Sequence, residues 1–195
     1  MIKAVIFDCF GVLVGRGFDE TYRIAGGNPV RDRVFIREKL AQASRGLISH
    51  KDFRLAFANK LGISVSDWQQ AVRASDLSNK ELLDYANELR KKGYKTAILS
   101  NVNSGVLERK IDPGRLGECF DELVASAEVG FIKPDVAIYT HTAEQLGVSP
   151  EECVFIDDNV TFVRAAEAVG MHGVVFEDSD HCQHAIDALL AKGKV

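Results

Sequence analysis

The chain has 195 residues, 46% of them hydrophobic, and a formal net charge of −4. This length is enough for one domain with an appendage or for two small domains. The acidic balance, without a basic run, argues against nucleic acid or an anionic membrane as the main partner. No apolar stretch reaches the length of a membrane span, and the N-terminal residues lack a signal-peptide pattern. The four cysteines are scattered along the sequence. We therefore expect a cytoplasmic protein with reduced thiols.

The first predicted element is a short buried strand that ends on a carboxylate. Val5, Ile6 and Phe7 form a continuous apolar run directly before Asp8, which is typical of a parallel strand covered on both faces. Open α/β sheets bind their ligands beyond the carboxyl ends of the strands. Asp8 is therefore a candidate functional residue.

Residues 15–76 contain no buried strand pattern but several helical ones, at about 19–24, 29–43, 49–61 and 64–73. Glycines at 26, 27, 46 and 62 separate these patterns. A helical insertion that directly follows the first strand would stand over the carboxyl ends of the sheet. We therefore expect a helical cap over 15–76 and an α/β core made of 1–14 and 77–195.

Strand and helix patterns alternate in the rest of the chain. Ser78 is predicted to cap a helix that ends near Lys92, and Pro134 to begin another. A further helix should follow Asp158 as far as Val169. The predicted strands cover 96–99, 122–126, 153–156 and 173–176, and the last helix covers about 180–192. This alternation predicts a Rossmann-like α/β fold, a three-layer parallel sheet core with an inserted helical cap.

Four short motifs stand where these strands end or where a helix begins. In chain order they are DCFGV at 8–12, LSN at 99–101, KP at 133–134 and FIDDN at 155–159. Together they resemble the haloacid dehalogenase (HAD) superfamily of hydrolases with a small helical cap after the first motif. In the cap, RGLIS at 45–49 followed by Phe53 is similar to a segment of the sugar-1-phosphate phosphatases and of the epoxide hydrolase phosphatase domain.

The resemblance implies a magnesium site at the end of the first strand. Mg²⁺ would be held by Asp8, the backbone carbonyl of Phe10 and Asp157, with Asp158 as a direct or water-mediated ligand. Mg²⁺ prefers such hard oxygen ligands. It would cancel the repulsion between an attacking carboxylate and a phosphate group.

The resemblance also implies covalent catalysis. Asp8 would be the nucleophile and form an aspartyl-phosphate, which splits one difficult displacement into two easier steps. Ser100 and Asn101 would donate hydrogen bonds to the phosphoryl group, and Lys133 would stabilise its charge and keep Asp8 ionised.

Phe10 departs from the phosphatase pattern. Related phosphatases carry a second aspartate there, which protonates the leaving group and later activates water, and a phenyl ring does neither. An aromatic residue is typical of the dehalogenase branch, which uses no metal and has serines in place of Asp157 and Asp158. Without a cation this acid pair would crowd Asp8 with like charge, so the pair favours Mg²⁺ and phosphate.

A second departure concerns Thr161 and Phe162, where related phosphatases often carry an Asp or Asn that supports the metal or Lys133. One supporting group is therefore expected to be missing. The helical spacing of Tyr139 favours packing over catalysis. Trp68 and the cap arginines at 31, 33, 37 and 45 are candidates for a substrate pocket, although a solvated surface is expected for most of these arginines.

These observations predict a Mg²⁺-dependent hydrolase of a small phosphorylated metabolite, monomeric or homodimeric. General acid–base catalysis contributes about 10²–10⁴-fold, and its loss matters least when the leaving oxygen is acidic. We therefore expect a substrate such as a sugar 1-phosphate, an acyl phosphate or an aryl phosphate. The alternatives are a 2-haloacid dehalogenase-like hydrolase, or a catalytically weak family member that binds a metabolite or a protein.

Overall fold

The computed structural model describes residues 1–15, 18–75 and 77–192. Residues 16, 17 and 76 of the expected cap, and 193–195 of the expected core, lie outside the described residues. The strands are β1 (Ala4–Phe7), β2 (Lys95–Ser100), β3 (Glu122–Ala125), β4 (Cys153–Asp157) and β5 (His172–Val175). They form one sheet in the order β3-β2-β1-β4-β5, and every neighbouring pair is parallel. The predicted parallel sheet is confirmed.

Helices occupy most of the remaining described chain. They are α1 (Phe18–Ile24), α2 (Arg33–Ser44), α3 (His50–Leu61), α4 (Val65–Ser75), α5 (Lys80–Lys91), α6 (Leu107–Lys110), α7 (Pro113–Cys119), α8 (Ser126–Val129), α9 (Val136–Gln145), α10 (Val160–Ala168) and α11 (Ser179–Lys192), with a 3₁₀ turn at Pro150–Glu152. None of the helices in this described part is both long and apolar enough to cross a membrane. All four cysteines are buried and none is in a disulfide.

The central strand β1 is covered on both faces of the sheet. Its side chains alternate, so that Val5 and Phe7 pack with α5 and α11, whereas Ala4 and Ile6 pack with α9 and α10. Its register pairs Phe7 with a residue of β2 on one side and of β4 on the other. The three-layer core is therefore confirmed. Because β1 is the middle strand, the residues that follow it lie at the centre of the sheet's carboxyl edge.

Helices α1 to α4, which we call the four-helix segment (residues 18–75), have an apolar cluster of their own. It is built around Tyr22, Phe57 and Trp68, and the last two rings stack with centroids 5.1 Å apart. The hydroxyl of Ser126, the first residue of α8, donates to the carbonyl of Ser44 at 2.7 Å and ties this segment to the core. The predicted helical insertion is confirmed for the described residues.

Two predicted helix starts are wrong by one or two residues. Asn79, not Ser78, caps α5, because the Asn79 side chain accepts from the backbone N–H of Leu82 at 3.2 Å while Ser78 is held in an extended bridge with Val14. Pro134 precedes α9 instead of beginning it, and Asp135 is the residue before the first helical turn.

Candidate active site

Three carboxylates meet at the carboxyl ends of β1 and β4. Asp8 directly follows β1, Asp157 is the last residue of β4, and Asp158 comes next. Because β1 and β4 are parallel neighbours, these residues share one edge, and one oxygen from each lies within 4.8 Å of the others. Asp8 and Asp157 are buried, whereas Asp158 is exposed.

Lys133, in the loop before α9, binds two of these carboxylates. Its Nζ lies 2.9 Å from Oδ1 of Asp8 and 2.6 Å from Oδ2 of Asp157, and it donates to the carbonyl of Leu99 at 3.1 Å. All three ammonium hydrogens therefore have acceptors. Burial lowers the pKa of Lys133, but the charges of Asp8 and Asp157 outweigh this effect and the pKa is raised. The side chain is held as a buried cation.

The carboxylates carry more negative charge than one lysine neutralises. Burial, followed by the charge of Asp8, raises the pKa of Asp157 to about 7, although Lys133 opposes the change. The same two causes raise the pKa of Asp158. A bound cation would remove this repulsion, and three carboxylate oxygens at one edge fit the ligand preference of Mg²⁺.

A tight turn after β1 brings the backbone against Asp158. Gly11 has a φ of +89° and donates to the carbonyl of Val14 at 3.0 Å. A Cβ at this position would collide with the carboxylate of Asp158. The left-handed backbone therefore favours glycine, and a Cβ here would also force the Asp158 side chain to move.

Asn101 holds the backbone of Lys133. Its Oδ1 accepts from the backbone N–H of Lys133 at 2.8 Å, and its Nδ2 donates to the carbonyl of the same residue at 2.9 Å. This side chain thus positions the lysine, a role that the sequence did not predict. Ser100 is buried at the end of β2 and lines the cavity above the site. Phosphoryl binding by Ser100 and Asn101 stays a prediction.

Phe162 occupies the place of the expected missing acid. Its ring centroid lies 5.1 Å from Nζ of Lys133, and its carbonyl accepts from the hydroxyl of Tyr139 at 2.9 Å. Thr161 is exposed beside it. The lysine is therefore covered by an aromatic face on this side. The packing role predicted for Tyr139 is confirmed, since this side chain is fully buried.

A cavity of about 400 Å³ opens above Asp8, Phe10 and Lys133. The four-helix segment forms much of its wall, with Phe18, Phe53 and Trp68 among the apolar residues. The basic residues that line it are Arg54, Arg73, Arg109, Lys110 and Lys133, together with His50.

The sequence indicated Trp68 and Lys133 in this wall but not its other basic residues. The arginines at 31, 33, 37 and 45 are exposed and are not among the described lining residues, as was expected for most of them. Arg54 follows His50 by four residues on α3, so the two share one helix face. That spacing is the signal from which this part of the wall could have been found.

A parallel α/β sheet that presents a carboxylate cluster and a buried lysine at one edge defines a hydrolase core of the HAD type. The model of the haloacid dehalogenase-like hydrolase family matches residues 2–170. The chain belongs to this family of enzymes.

Two curated relatives differ in their reaction. A sesquiterpene phosphatase of Aspergillus oryzae is 28% identical over 189 residues, covering 91% of this chain and 91% of that protein. An (S)-2-haloacid dehalogenase of a Pseudomonas species is 27% identical over 191 residues, covering 89% of this chain and 83% of that protein.

Two solved structures share the fold over nearly the whole chain. A HAD-like family hydrolase from Porphyromonas gingivalis has a TM-score of 0.77 at 29% identity and covers 97% of this chain and 98% of its own. A HAD-family enzyme from Bacteroides thetaiotaomicron, in complex with magnesium and inorganic phosphate, has a TM-score of 0.72 at 24% identity and covers 93% and 99%.

Proposed function

We propose that this enzyme is a Mg²⁺-dependent phosphatase of a small phosphorylated metabolite. The observation that carries the proposal is the cluster of Asp8, Asp157 and Asp158 around Lys133, because a dehalogenase without a metal has no use for three neighbouring carboxylates. The sesquiterpene phosphatase relative and the magnesium and phosphate bound by the Bacteroides enzyme support the same reading. A cytoplasmic location and a monomeric or homodimeric state stay predictions.

In the proposed reaction, an oxygen of Asp8 attacks the phosphorus atom and the bond to the leaving oxygen breaks. Water then attacks the phosphorus of the aspartyl-phosphate, and inorganic phosphate leaves as the Asp8 carboxylate is restored. Lys133 holds Asp8 in its ionised form and balances the charge of the phosphoryl group. Ser100 and the backbone N–H of Asn101 are the proposed phosphoryl donors.

Asp8, the backbone carbonyl of Phe10, Asp157 and Asp158 are the proposed ligands of Mg²⁺. The bound ion supplies positive charge that lets an anionic nucleophile approach an anionic phosphate. Gly11 lies against this proposed site, since a Cβ at its position would force the Asp158 carboxylate to move.

Phe10 favours substrates whose leaving oxygen is weakly basic, because it supplies no proton. A sugar 1-phosphate, an acyl phosphate or an aryl phosphate meets this requirement. This preference is tested by measuring steady-state rates on a series of phosphate monoesters whose leaving groups differ in pKa. We expect kcat/KM to fall steeply as the leaving group becomes more basic, and a flat dependence would contradict it.

We further propose that residues 15–76 act as a cap on a core made of 1–14 and 77–195. The separate apolar cluster of the four-helix segment supports this division, as does its share of the cavity wall. Hydrogen bonds from Ser126 to Ser44 and from Asn103 to Ile48 are contacts that an opening movement would break.

A 2-haloacid dehalogenase is the second candidate, favoured by Phe10 and by the Pseudomonas relative. The full-length enzyme is assayed on a panel of phosphorylated metabolites with and without Mg²⁺, and on 2-chloropropionate with EDTA. We expect phosphate release only with Mg²⁺ and no halide release. Halide release in EDTA would favour the dehalogenase, and inactivity in both assays would favour a binding protein.

A further inference from the structure

A group of basic side chains forms one wall of the cavity. Helix α3 supplies His50 and Arg54, and α6 supplies Arg109 and Lys110. Burial and then the positive charges of the other three lower the pKa of His50, so all three act on the imidazole. Among the described lining residues, Asp8 is the one acidic side chain, and it is bound in the catalytic cluster. Arg54 and Arg109 therefore bring positive charge to the cavity that no described lining carboxylate balances.

Arg54 is the most informative member of this wall. Its Nε is buried and has no hydrogen-bond partner in the described part of the chain. Other arginines, such as Arg31, Arg90 and Arg115, are paired with carboxylates, whereas Arg54 has no ion pair with any described residue. Buried donors without a partner are rare in folded proteins and unfavourable. The guanidinium is therefore prepared for an acceptor that comes from outside the chain.

Arg109 is also available to an anion. Among the described residues, its guanidinium donates only to a neutral acceptor, the carbonyl of Ser104, at 3.3 Å. Its charge therefore has no anionic partner within this part of the structure. Arg109 on α6 and Arg54 on α3 both line the cavity, and the charges of both act on His50.

The wall borders the part of the site that faces the leaving group. Lys110 Nζ lies 5.5 Å from the centroid of the Phe10 ring, and Phe10 occupies the position from which related phosphatases serve the leaving oxygen. Apolar rings of the four-helix segment, including Phe53 and Trp68, line the cavity nearby. A substrate placed here would present its non-transferred half to cations and to aromatic rings.

We propose that His50, Arg54 and Arg109 form a second anion-binding subsite, which recognises a carboxylate or a further phosphate on the leaving half of the substrate. This inference rests on the proposed phosphatase function and narrows its substrate class. The substrate is a phosphate monoester whose leaving half has an apolar body and a second oxyanion.

The direct test is binding of non-hydrolysable phosphonates in the presence of Mg²⁺. Phenylphosphonate, its 3- and 4-carboxy derivatives and 1,4-phenylenediphosphonate are titrated into the full-length protein in a calorimeter. We expect at least one probe with a second acidic group on the ring to bind about tenfold or more tightly than phenylphosphonate. Hydrogen bonds to charged groups are stronger than those between neutral groups. The carboxylate and phosphonate probes show which oxyanion the subsite prefers.

Variants locate the effect. Arg54→Gln and Arg109→Gln should each remove most of this preference while leaving phenylphosphonate affinity within about twofold. Arg37→Gln, an exposed arginine of α2 outside the cavity, should change neither affinity. Equal binding of all probes to the native protein would overturn the subsite, as would equal weakening of all probes in both variants. If one variant fails to fold, the other decides.

Turnover of phenyl phosphate with Mg²⁺ separates this inference from the proposed function. Turnover without any preference for a second anion would remove the subsite and keep the phosphatase. A preference that depends on Arg54, without turnover of any phosphate ester, would keep the subsite and remove the phosphatase.

Discussion

Asp157 and Asp32 are both buried aspartates that contact a lysine, yet their surroundings act on them in opposite directions. At the sheet edge, burial and the neighbouring Asp8 raise the pKa of Asp157 to about 7. In the four-helix segment, the hydrogen bond from Arg31, the contact with Lys60 at 3.1 Å and the Tyr22 hydroxyl lower the pKa of Asp32 to about 2 against the effect of burial.

The difference separates a structural ion pair from a functional one. Two cations, Arg31 and Lys60, contact the Asp32 carboxylate, so its charge is neutralised within the protein. This ion pair links the helices of the four-helix segment. Asp157 shares one lysine with Asp8, so the sheet edge remains short of positive charge until a cation binds. Unrelieved charge of this kind is typical of sites that bind ligands or perform catalysis.

The largest expected effect is at the catalytic cluster itself. Asp8→Asn should lower phosphatase turnover by on the order of 10⁴-fold or more, because the proposed nucleophile is lost. The fold should be retained, since the change removes one of three repelling charges. Turnover and circular dichroism are compared with Asp180→Asn, an exposed residue of α11. Substantial turnover by Asp8→Asn would place the nucleophile elsewhere.

The same substitution at the two lysines contrasts the two regions. Lys133→Met leaves two buried carboxylates without their cation, so the free energy of unfolding without Mg²⁺ should fall by about 3–5 kcal/mol. Activity should be lost as well. Lys60→Met should have a smaller effect on stability and none on kcat, because Asp32 keeps its bonds to Arg31 and Tyr22. Urea unfolding with and without Mg²⁺ measures both, and equal effects would contradict the contrast.

A pair of glycines separates backbone strain from contact with the acid cluster. Gly11→Ala should lower the free energy of unfolding by about 1–3 kcal/mol and weaken Mg²⁺ binding, because the new Cβ displaces Asp158. Gly26 also has a positive φ, of +85°, but a Cβ added there would meet no atom within 4 Å. Gly26→Ala should therefore show the strain alone. Unchanged Mg²⁺ affinity in Gly11→Ala, measured by calorimetry, would argue against Asp158 as a ligand.

Asp32→Asn should lower the free energy of unfolding and leave kcat unchanged. The carboxylate has a pKa below its unfolded value of about 3.9, so its contribution is fully present above about pH 4 and is lost as the pH falls toward 2. The native protein should therefore lose stability over this interval more steeply than the variant. Urea unfolding midpoints of both proteins are measured between pH 2.5 and 6. If the midpoints of the native protein and of Asp32→Asn fall in parallel with pH, the pKa of Asp32 is not lowered in the folded state.

The sequence predicted which side chains lie at this edge of the sheet because the signals are local. Each of Asp8, Ser100 and Asp157 ends an apolar run, and parallel strands bring such ends to one side. The position of Lys133 and the role of Phe10 came from a family resemblance, not from any periodic pattern.

What the sequence did not predict depends on contacts between distant segments. The side chain of Asn101 bonds to the backbone of Lys133, which is 32 residues away, and no local pattern indicates that contact. Ser78 and Asn79 are both capping residue types, and the bridge to Val14 decides between them. The spacing of His50 and Arg54 places both on one face of α3, but it does not show that this face lines the cavity, which depends on the packing of α3.

The most direct test of the central claim is the binding of beryllium fluoride with Mg²⁺, which together mimic the aspartyl-phosphate on a competent Asp8. Thermal unfolding is followed with each component alone and with both. We expect the melting temperature to rise by about 5–10 °C only when both are present, with no rise in Asp8→Asn and a full rise in Asp180→Asn. No rise in the native protein, or an equal rise in Asp8→Asn, would contradict the proposed aspartyl-phosphate chemistry.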